Sequence, residues 1–222
     1  MANRSYLSIW TSSYDEDVML DRFERLLETV PLSAKRPGFA NLAIRAVSAA
    51  ETPLLDMDVR GAAGAADLVA PMREHRNRDT AYEVEAYWDL WQRDAASGVW
   101  QRDPERLLLV ANGEDYDDGV AAEIGHFTAE IGLEHLYTGH GGLLGTHGTP
   151  DAAEDAAEAE VLTEMTREEY LLEYYEKTRE NAQQLLTWVR AVEHALPVER
   201  YRLWSEGEEN LEARLDEILA VR

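Results

Sequence analysis

The sequence predicts an α+β fold, in which a mainly antiparallel sheet packs with helices and is followed by a helical C-terminal region. Over the first two-thirds of the 222 residues, short segments alternate apolar and polar side chains, as half-buried strands do. The helical patterns between them lack the regular rhythm of a doubly wound parallel sheet. After His147 the patterns become helical. We therefore predict an α+β domain over residues 1–148 and a helical region over 149–222.

The first region is predicted to begin with a strand at Tyr6–Thr11 and an amphipathic helix over residues 16–30, which Pro31 ends. A short helix is expected within Ala66–Arg76, although it would contain Pro71. Trp88 is in phase with neighbouring apolar residues and is predicted to lie in the core. The remaining predicted strands are Leu42–Val47, Leu54–Val59, Ala81–Trp91 and Leu107–Ala111.

The C-terminal region divides into three segments. Residues 150–165 are acidic and alanine-rich, which is typical of a solvated helix or a linker. Residues 166–196 are predicted to form a long helix, because apolar side chains recur every three or four residues. Its apolar stripe is too long to leave in water, so it packs on the domain or on a second copy, as a candidate homo-oligomer contact. Residues 206–221 are predicted to form a short final helix.

The charge of the chain limits its partners. It has 44 acidic and 21 basic residues, a net charge of −23, so its field repels nucleic acid and anionic membrane surfaces and favours a basic protein partner. No cysteine is present, which excludes disulfides and thiolate metal sites. No segment has the ~20 consecutive apolar residues of a membrane span. We expect a cytoplasmic protein.

Residues 126–147 contain four of the six histidines and have two interpretations. Period two predicts a strand over residues 126–134, in which polar residues four apart lie roughly 13 Å from each other. Period 3.6 predicts a helix, which would place four possible ligands on one stripe. The strand is favoured, because Gly125 and Gly132 would each cost a helix about 1 kcal/mol relative to Ala.

Two alternative metal sites follow from this segment. The glycine-rich loop could bring together the imidazoles of His135, His140 and His147, and the helical interpretation would instead align Glu123, His126, Glu130 and Glu134. Imidazole ligands suit a divalent transition metal, and a nearby carboxylate could take the proton from metal-bound water, as in a metal-dependent hydrolase. Histidines in polar loops are more often ordinary surface residues, so no cofactor is predicted.

Carboxylates also fall on the polar phase of several predicted strands, so that one face of the sheet would be markedly acidic. With so many acidic residues, a solvated face is more common than a catalytic pair. These residues are Asp56, Asp58, Glu83, Glu85, Asp89, Glu130 and Glu134.

No motif for nucleophilic or nucleotide chemistry is present, and residues 114–119 do not have EF-hand spacing, so they are predicted to form a polar turn. The preferred hypothesis is a non-catalytic interaction module that binds a basic partner, in the manner of an immunity protein or a nucleic-acid mimic. The alternative hypothesis is the metal-dependent hydrolase.

Overall fold

The computed structural model describes residues 3–61, 64–94, 97–138, 168–207 and 210–220, which form an α+β fold, as predicted. A 3-10 turn at Tyr116–Gly119 falls in the predicted polar turn. The helices are α1 Glu16–Glu28, α2 Ala65–Glu74, α3 Ala121–Ile124, α4 His135–Thr138, α5 Glu168–Ala195 and α6 Leu211–Ala220. The strands are β1 Arg4–Thr11, β2 Phe39–Ala46, β3 Leu55–Asp58, β4 Thr80–Arg93, β5 Trp100–Asn112, β6 Phe127–Leu133 and β7 Val198–Ser205.

The seven strands form a single antiparallel sheet in the order β3-β2-β4-β5-β6-β1-β7. The β4–β5 hairpin has the longest pairing and runs from Ala81↔Asn112 to Arg93↔Trp100. Strand β1 lies between β6 and β7, so the strand that comes first in sequence pairs with the two that come last. β7 was not predicted from the sequence, and it closes one edge of the sheet.

Helices α1, α2, α5 and α6 share one hydrophobic core with one face of the sheet. Helix α1 shows how the sequence builds this layer. The side chain of Asp15 accepts hydrogen bonds from the backbone N–H groups of Asp17 and Val18 and so caps the helix at its N-terminus. The buried side of α1 carries Met19, Leu20, Phe23, Leu26 and Leu27, at three- and four-residue spacing. Trp88 of β4 is fully buried in the same core, as predicted.

The apolar stripe of α5 is buried against the same chain. The indole of Trp188 makes an edge contact with Trp88, at 5.6 Å between ring centroids, and its Nε1 donates to Thr29 Oγ1 at 3.0 Å. The predicted stripe residues that are buried are Tyr174, Thr178, Ala182, Leu185, Val189, Val192 and Leu196. The stripe therefore already has a partner within the chain, and self-association through this helix stays a prediction.

The structure also decides between the two interpretations of residues 126–134. Phe127–Leu133 form β6, paired with β1 and β5 on either side. Gly132 has φ +110°, a conformation that glycine adopts readily and that a helix does not contain. The strand interpretation is confirmed. Within the described ranges, no helix combines the length and the apolar content that a membrane span needs.

Candidate functional site

One face of the sheet is not covered by the four long helices, and we call it the open face. The strand register aligns one row of side chains across it, so that Glu85 of β4, Leu108 of β5, Glu130 of β6 and Tyr6 of β1 are successive neighbours. Other members of the open face are Ser8, Asn41, Ala43, Arg45, Asp56, Asp58, Glu83, Tyr87, Arg106, Val110, Thr128, Arg202 and Trp204.

An ion-pair network runs along the middle of the open face. The Nε of Arg106 donates to Glu85 Oε2 at 2.7 Å, and its Nη1 donates to Glu130 Oε1 at 3.2 Å. Arg4 also pairs with Glu130, and the hydroxyl of Tyr87 donates to Glu85 Oε1 at 2.8 Å. Burial raises the pKa of Glu85, but the hydrogen bonds from Arg106 and Tyr87 outweigh it and lower that pKa.

The open face is therefore not the markedly acidic surface expected from the sequence. Its carboxylates are mostly neutralised by arginines that the register places beside them, in the pairs Asp58–Arg60, Glu83–Arg45, Glu85–Arg106 and Glu130–Arg106. Asp89 turns to the loop before β2, where it accepts from Ser33 Oγ and Ala34 N. Glu134 lies beyond β6 and accepts from the backbone N–H of Gly207.

Unbalanced negative charge instead gathers at one end of the sheet, where β2 and β5 end and β4 begins. Backbone hydrogen bonds join the segments there: Asp117 N donates to Val47 O at 2.8 Å, and Asp115 N donates to Arg78 O at 2.9 Å. We call this region the acidic end. Among the described residues it holds two arginines, Arg45 and Arg78, and seven carboxylates, which are Glu51, Asp79, Glu83, Glu114, Asp115, Asp117 and Asp118.

The backbone of the acidic end is strained and tightly packed. Val47, Asp117 and Asp118 have φ values of +69°, +48° and +58°. Aspartate tolerates this left-handed conformation, whereas a β-branched residue such as valine rarely adopts it. A Cβ on Gly113 would lie 2.2 Å from the carbonyl oxygen of Arg78, so that only glycine fits there. The surrounding contacts therefore hold these loops in one shape.

Two apolar side chains protrude within the acidic end. Val47 is 60% exposed and Leu54 is 58% exposed. An apolar centre with a charged rim is the arrangement that protein interfaces use. Sequence reasoning missed this surface, because residues 114–119 were interpreted as an ordinary turn and nothing in the sequence marks Val47 as left-handed.

A cleft of about 820 Å³ lies on the open face of the sheet, near the edge formed by β3, β2 and β4. It adjoins the acidic end, since Glu85 follows Glu83 on the same side of β4. Its walls come from the loop before β2, from β3 and from the middle of β4. The lining residues are Arg36, Pro37, Gly38, Phe39, Ala40, Asn41, Asp56, Asp58, Arg60, Glu85 and Tyr87.

His126 is occupied by contacts within the chain. Its Nδ1 accepts from the backbone N–H of Thr11 at 3.0 Å, and its ring stacks on Tyr14 at 4.0 Å between centroids. Burial, and then the nearby Arg22 and Arg200, lower the pKa of His126 to about 4. The imidazole is therefore neutral at pH 7, and its proton is on Nε2.

The structure does not bring together Glu123, His126, Glu130 and Glu134. The helix that this ligand set requires is replaced by β6, and three of the four side chains have other partners: Arg106 for Glu130, Gly207 for Glu134 and Thr11 for His126. Glu123 is exposed on α3. Over the described part of the chain, no group of three or more His, Cys, Asp or Glu is placed to hold a metal ion.

The second predicted ligand set lies mostly outside the described residues. His135 begins α4, and burial lowers its pKa. Its backbone carbonyl accepts from the hydroxyl of Tyr174 at 3.1 Å. His140 and His147 fall outside the described residues, so a site that combines the three histidines stays a prediction.

No protein-family model matches the chain, and no curated protein or solved structure matches it significantly.

Proposed function

We propose that this protein is a non-catalytic interaction module that binds a basic protein partner through the acidic end. The observation that carries the proposal is the acidic end itself, which among the described residues combines seven carboxylates and two arginines with the exposed Val47 and Leu54. An immunity protein and a nucleic-acid mimic both act in this way, because each covers a basic surface of another protein.

Electrostatics favour such a partner. Like charges that are held close together repel one another, and a basic surface that docks on them relieves this repulsion. The net charge of −23 extends the attraction beyond the contact itself, which speeds the encounter and selects against acidic competitors. Binding is therefore expected to weaken as salt screens the charges.

The fixed shape of the acidic end supports the same proposal. A backbone hydrogen bond joins Asp117 to Val47. Gly113 packs so closely against the carbonyl oxygens of Arg78 and Thr80 that no larger residue fits there, which fixes the start of the loop that leads to Asp117. A surface that is already ordered loses little conformational entropy on binding, so more of the interaction energy appears as affinity. Strained loops that the fold maintains are also more common at functional sites than elsewhere.

The test uses a double variant, Asp117→Asn with Asp118→Asn. Asparagine tolerates the left-handed backbone as well as aspartate does, so the variant removes two charges and leaves the fold intact. The matched control is Glu173→Gln with Glu176→Gln, which removes two charges from exposed positions on α5. A partner is captured from lysate of the source cells, purified, and titrated against all three proteins at two salt concentrations.

We expect the Asp117/Asp118 variant to bind the purified partner about tenfold more weakly, mainly through slower association, and the α5 control to bind as the wild type does. Higher salt should weaken wild-type binding most. Equal binding by both variants, or affinity that does not depend on salt, would contradict the proposal.

A further inference from the structure

The cleft beside the acidic end has the chemistry of a guanidinium site. We infer that it receives an arginine side chain of the basic partner, an inference that rests on the proposed function and extends it to a specific contact. The cleft volume of about 820 Å³ is within the range of ligand-binding pockets and leaves room for a guanidinium group and its aliphatic stem.

Tyr87 provides a surface on which a planar cation can stack. The guanidinium carbon of Arg36 lies 4.8 Å from the centroid of the Tyr87 ring. Arg36 is exposed and makes no ion pair with any residue of the described part of the chain. It therefore occupies the ring face as an internal substitute that a partner arginine can displace.

Three carboxylates line the cleft together with Tyr87. Glu85 receives the Tyr87 hydroxyl, and the exposed Asp56 and Asp58 stand on β3 across the cleft. Asp56 Oδ1 accepts from Asn41 Nδ2 at 2.9 Å, and this hydrogen bond fixes the orientation of the Asn41 amide.

The orientation of Asn41 leaves an acceptor without a donor. Its Oδ1 is buried and has no hydrogen-bond partner among the described residues. A guanidinium carries five N–H donors in a planar fork, so it can pair with the exposed Asp56 in two places, and it reaches the Asn41 acceptor once the amide turns toward the cleft.

The loop that forms one wall of the cleft is firmly attached to β4. Ser33 is buried, and its N–H donates to Tyr87 O at 2.7 Å. Ala34 N donates to Asp89 Oδ2 at 2.9 Å, and Lys35 Nζ pairs with Asp103 at 2.6 Å. The backbone at Arg36 is therefore held in place, so that a ligand has to displace only its exposed side chain from Tyr87.

An anionic ligand is less well matched to this cleft. Its lining holds three carboxylates and two arginines, and Arg60 is committed to Asp58 through a forked contact. This leaves Arg36 with Asp56 and Glu85, of which Glu85 is also paired with Arg106. The overall charge of −23 also repels anions.

In the test, the full chain is titrated with N-acetyl-L-arginine amide, and the backbone NMR shifts of residues 36–41 and 56–60 report binding. A second titration uses N-acetyl-L-glutamate amide as the anionic probe. We expect saturable binding of the arginine probe alone. Arg36→Ala should strengthen it about two- to fivefold by clearing the ring, and Tyr87→Leu should weaken it by a similar factor. Asp56→Asn, at an exposed position that does not endanger folding, should also weaken it, whereas the distant Glu74→Gln should have no effect.

The inference is overturned if the arginine probe does not saturate, or if its binding ignores both Arg36→Ala and Tyr87→Leu. It is equally overturned if the glutamate probe binds and Arg36→Ala abolishes that binding, which would identify an anion site. These readouts involve no partner protein. If the arginine probe does not bind but the partner binds in a salt-dependent way, only the inference about the cleft is rejected. If the probe binds but the partner does not bind in a salt-dependent way, only the proposed function is rejected.

Discussion

The side chain of Asn181 on α5 takes the place of a neighbouring strand for Trp91 on β4. Its Oδ1 accepts from Trp91 N at 2.8 Å, and its Nδ2 donates to Trp91 O at 3.0 Å. The same Nδ2 also donates to Leu136 O at 3.0 Å. β2 pairs with β4 only as far as Ala86, so this amide completes the edge of β4 beyond that point and fastens the long helix to the sheet.

Asn181→Ala is expected to destabilise the protein by about 2–4 kcal/mol, because it leaves the buried carbonyl of Leu136 and the partly buried N–H and C=O of Trp91 without hydrogen-bond partners. Chemical denaturation followed by circular dichroism measures the change in the free energy of unfolding. The neighbouring Gln183→Ala is the control, since Gln183 is exposed on the same helix. Similar stabilities for the two variants would show that the Asn181 contacts contribute little.

Gly113→Ala is expected to destabilise the fold by about 1–3 kcal/mol and to weaken partner binding at the acidic end. The added methyl would lie 2.2 Å from Arg78 O and 2.7 Å from Thr80 O, and backbone atoms cannot move aside cheaply. Gly64→Ala is the matched control, because a Cβ there meets nothing within 4 Å. Thermal unfolding compares the two variants. An unchanged melting temperature for Gly113→Ala would mean that the turn is less tightly packed than described.

The stability of the protein should fall on acidification partly because of His126. Its pKa is about 4 in the fold and about 6.5 when unfolded, so below pH 6.5 the unfolded chain binds a proton that the folded chain does not. Stability therefore decreases from pH 6.5 to about pH 4. In His126→Asn the amide oxygen can still accept from Thr11 N, and the decrease should be shallower. Melting temperatures of the wild type and of His126→Asn between pH 6.5 and pH 4 measure this decrease. Parallel curves for the two proteins would contradict the role of His126.

Glu105 should act in the opposite direction. Burial raises its pKa, so the folded state favours the protonated carboxyl, and the stability that this provides at low pH is lost as the pH rises through the folded pKa. Glu105→Gln keeps an acceptor for Gln92 Nε2 and should raise the melting temperature at pH 7, with a smaller gain near pH 4. The exposed Glu176→Gln controls for the loss of one charge. A gain that is the same at both pH values would rule out the carboxylate as its source.

Much of the fold could be predicted because its strands and helices bury one side each. Alternation predicted β4 and β6, and three- to four-residue spacing predicted α1 and α5 within a few residues. β7 was missed because it is an edge strand of which only Leu203 is buried, while its other side chains are exposed or half-buried. An alternating apolar pattern is absent from such a strand, so its pairing with β1 has no local signal.

The candidate site was less predictable, since it depends on residues that are distant in sequence. The polar phase of Glu85 and Glu130 could be predicted, but not that Arg106 would lie between them on the intervening strand. The left-handed backbone of Val47 depends on contacts with the Asp79 carbonyl and the Asp117 amide, which form only in the folded chain.

The position of β1 between β6 and β7 has a consequence for how the chain folds. Among the described strands β1 is made first. Its β6 edge can pair once residue 133 has left the ribosome, but its other edge has no partner until residue 205 has done so. The closing step therefore brings together segments that are far apart in sequence, which makes folding slow. Until then β1, with its apolar Leu7 and Ile9, has one open edge that can associate with other chains. We expect truncation before Val198 to yield an aggregation-prone protein, in which the edge of β1 that β7 covers is available for intermolecular pairing.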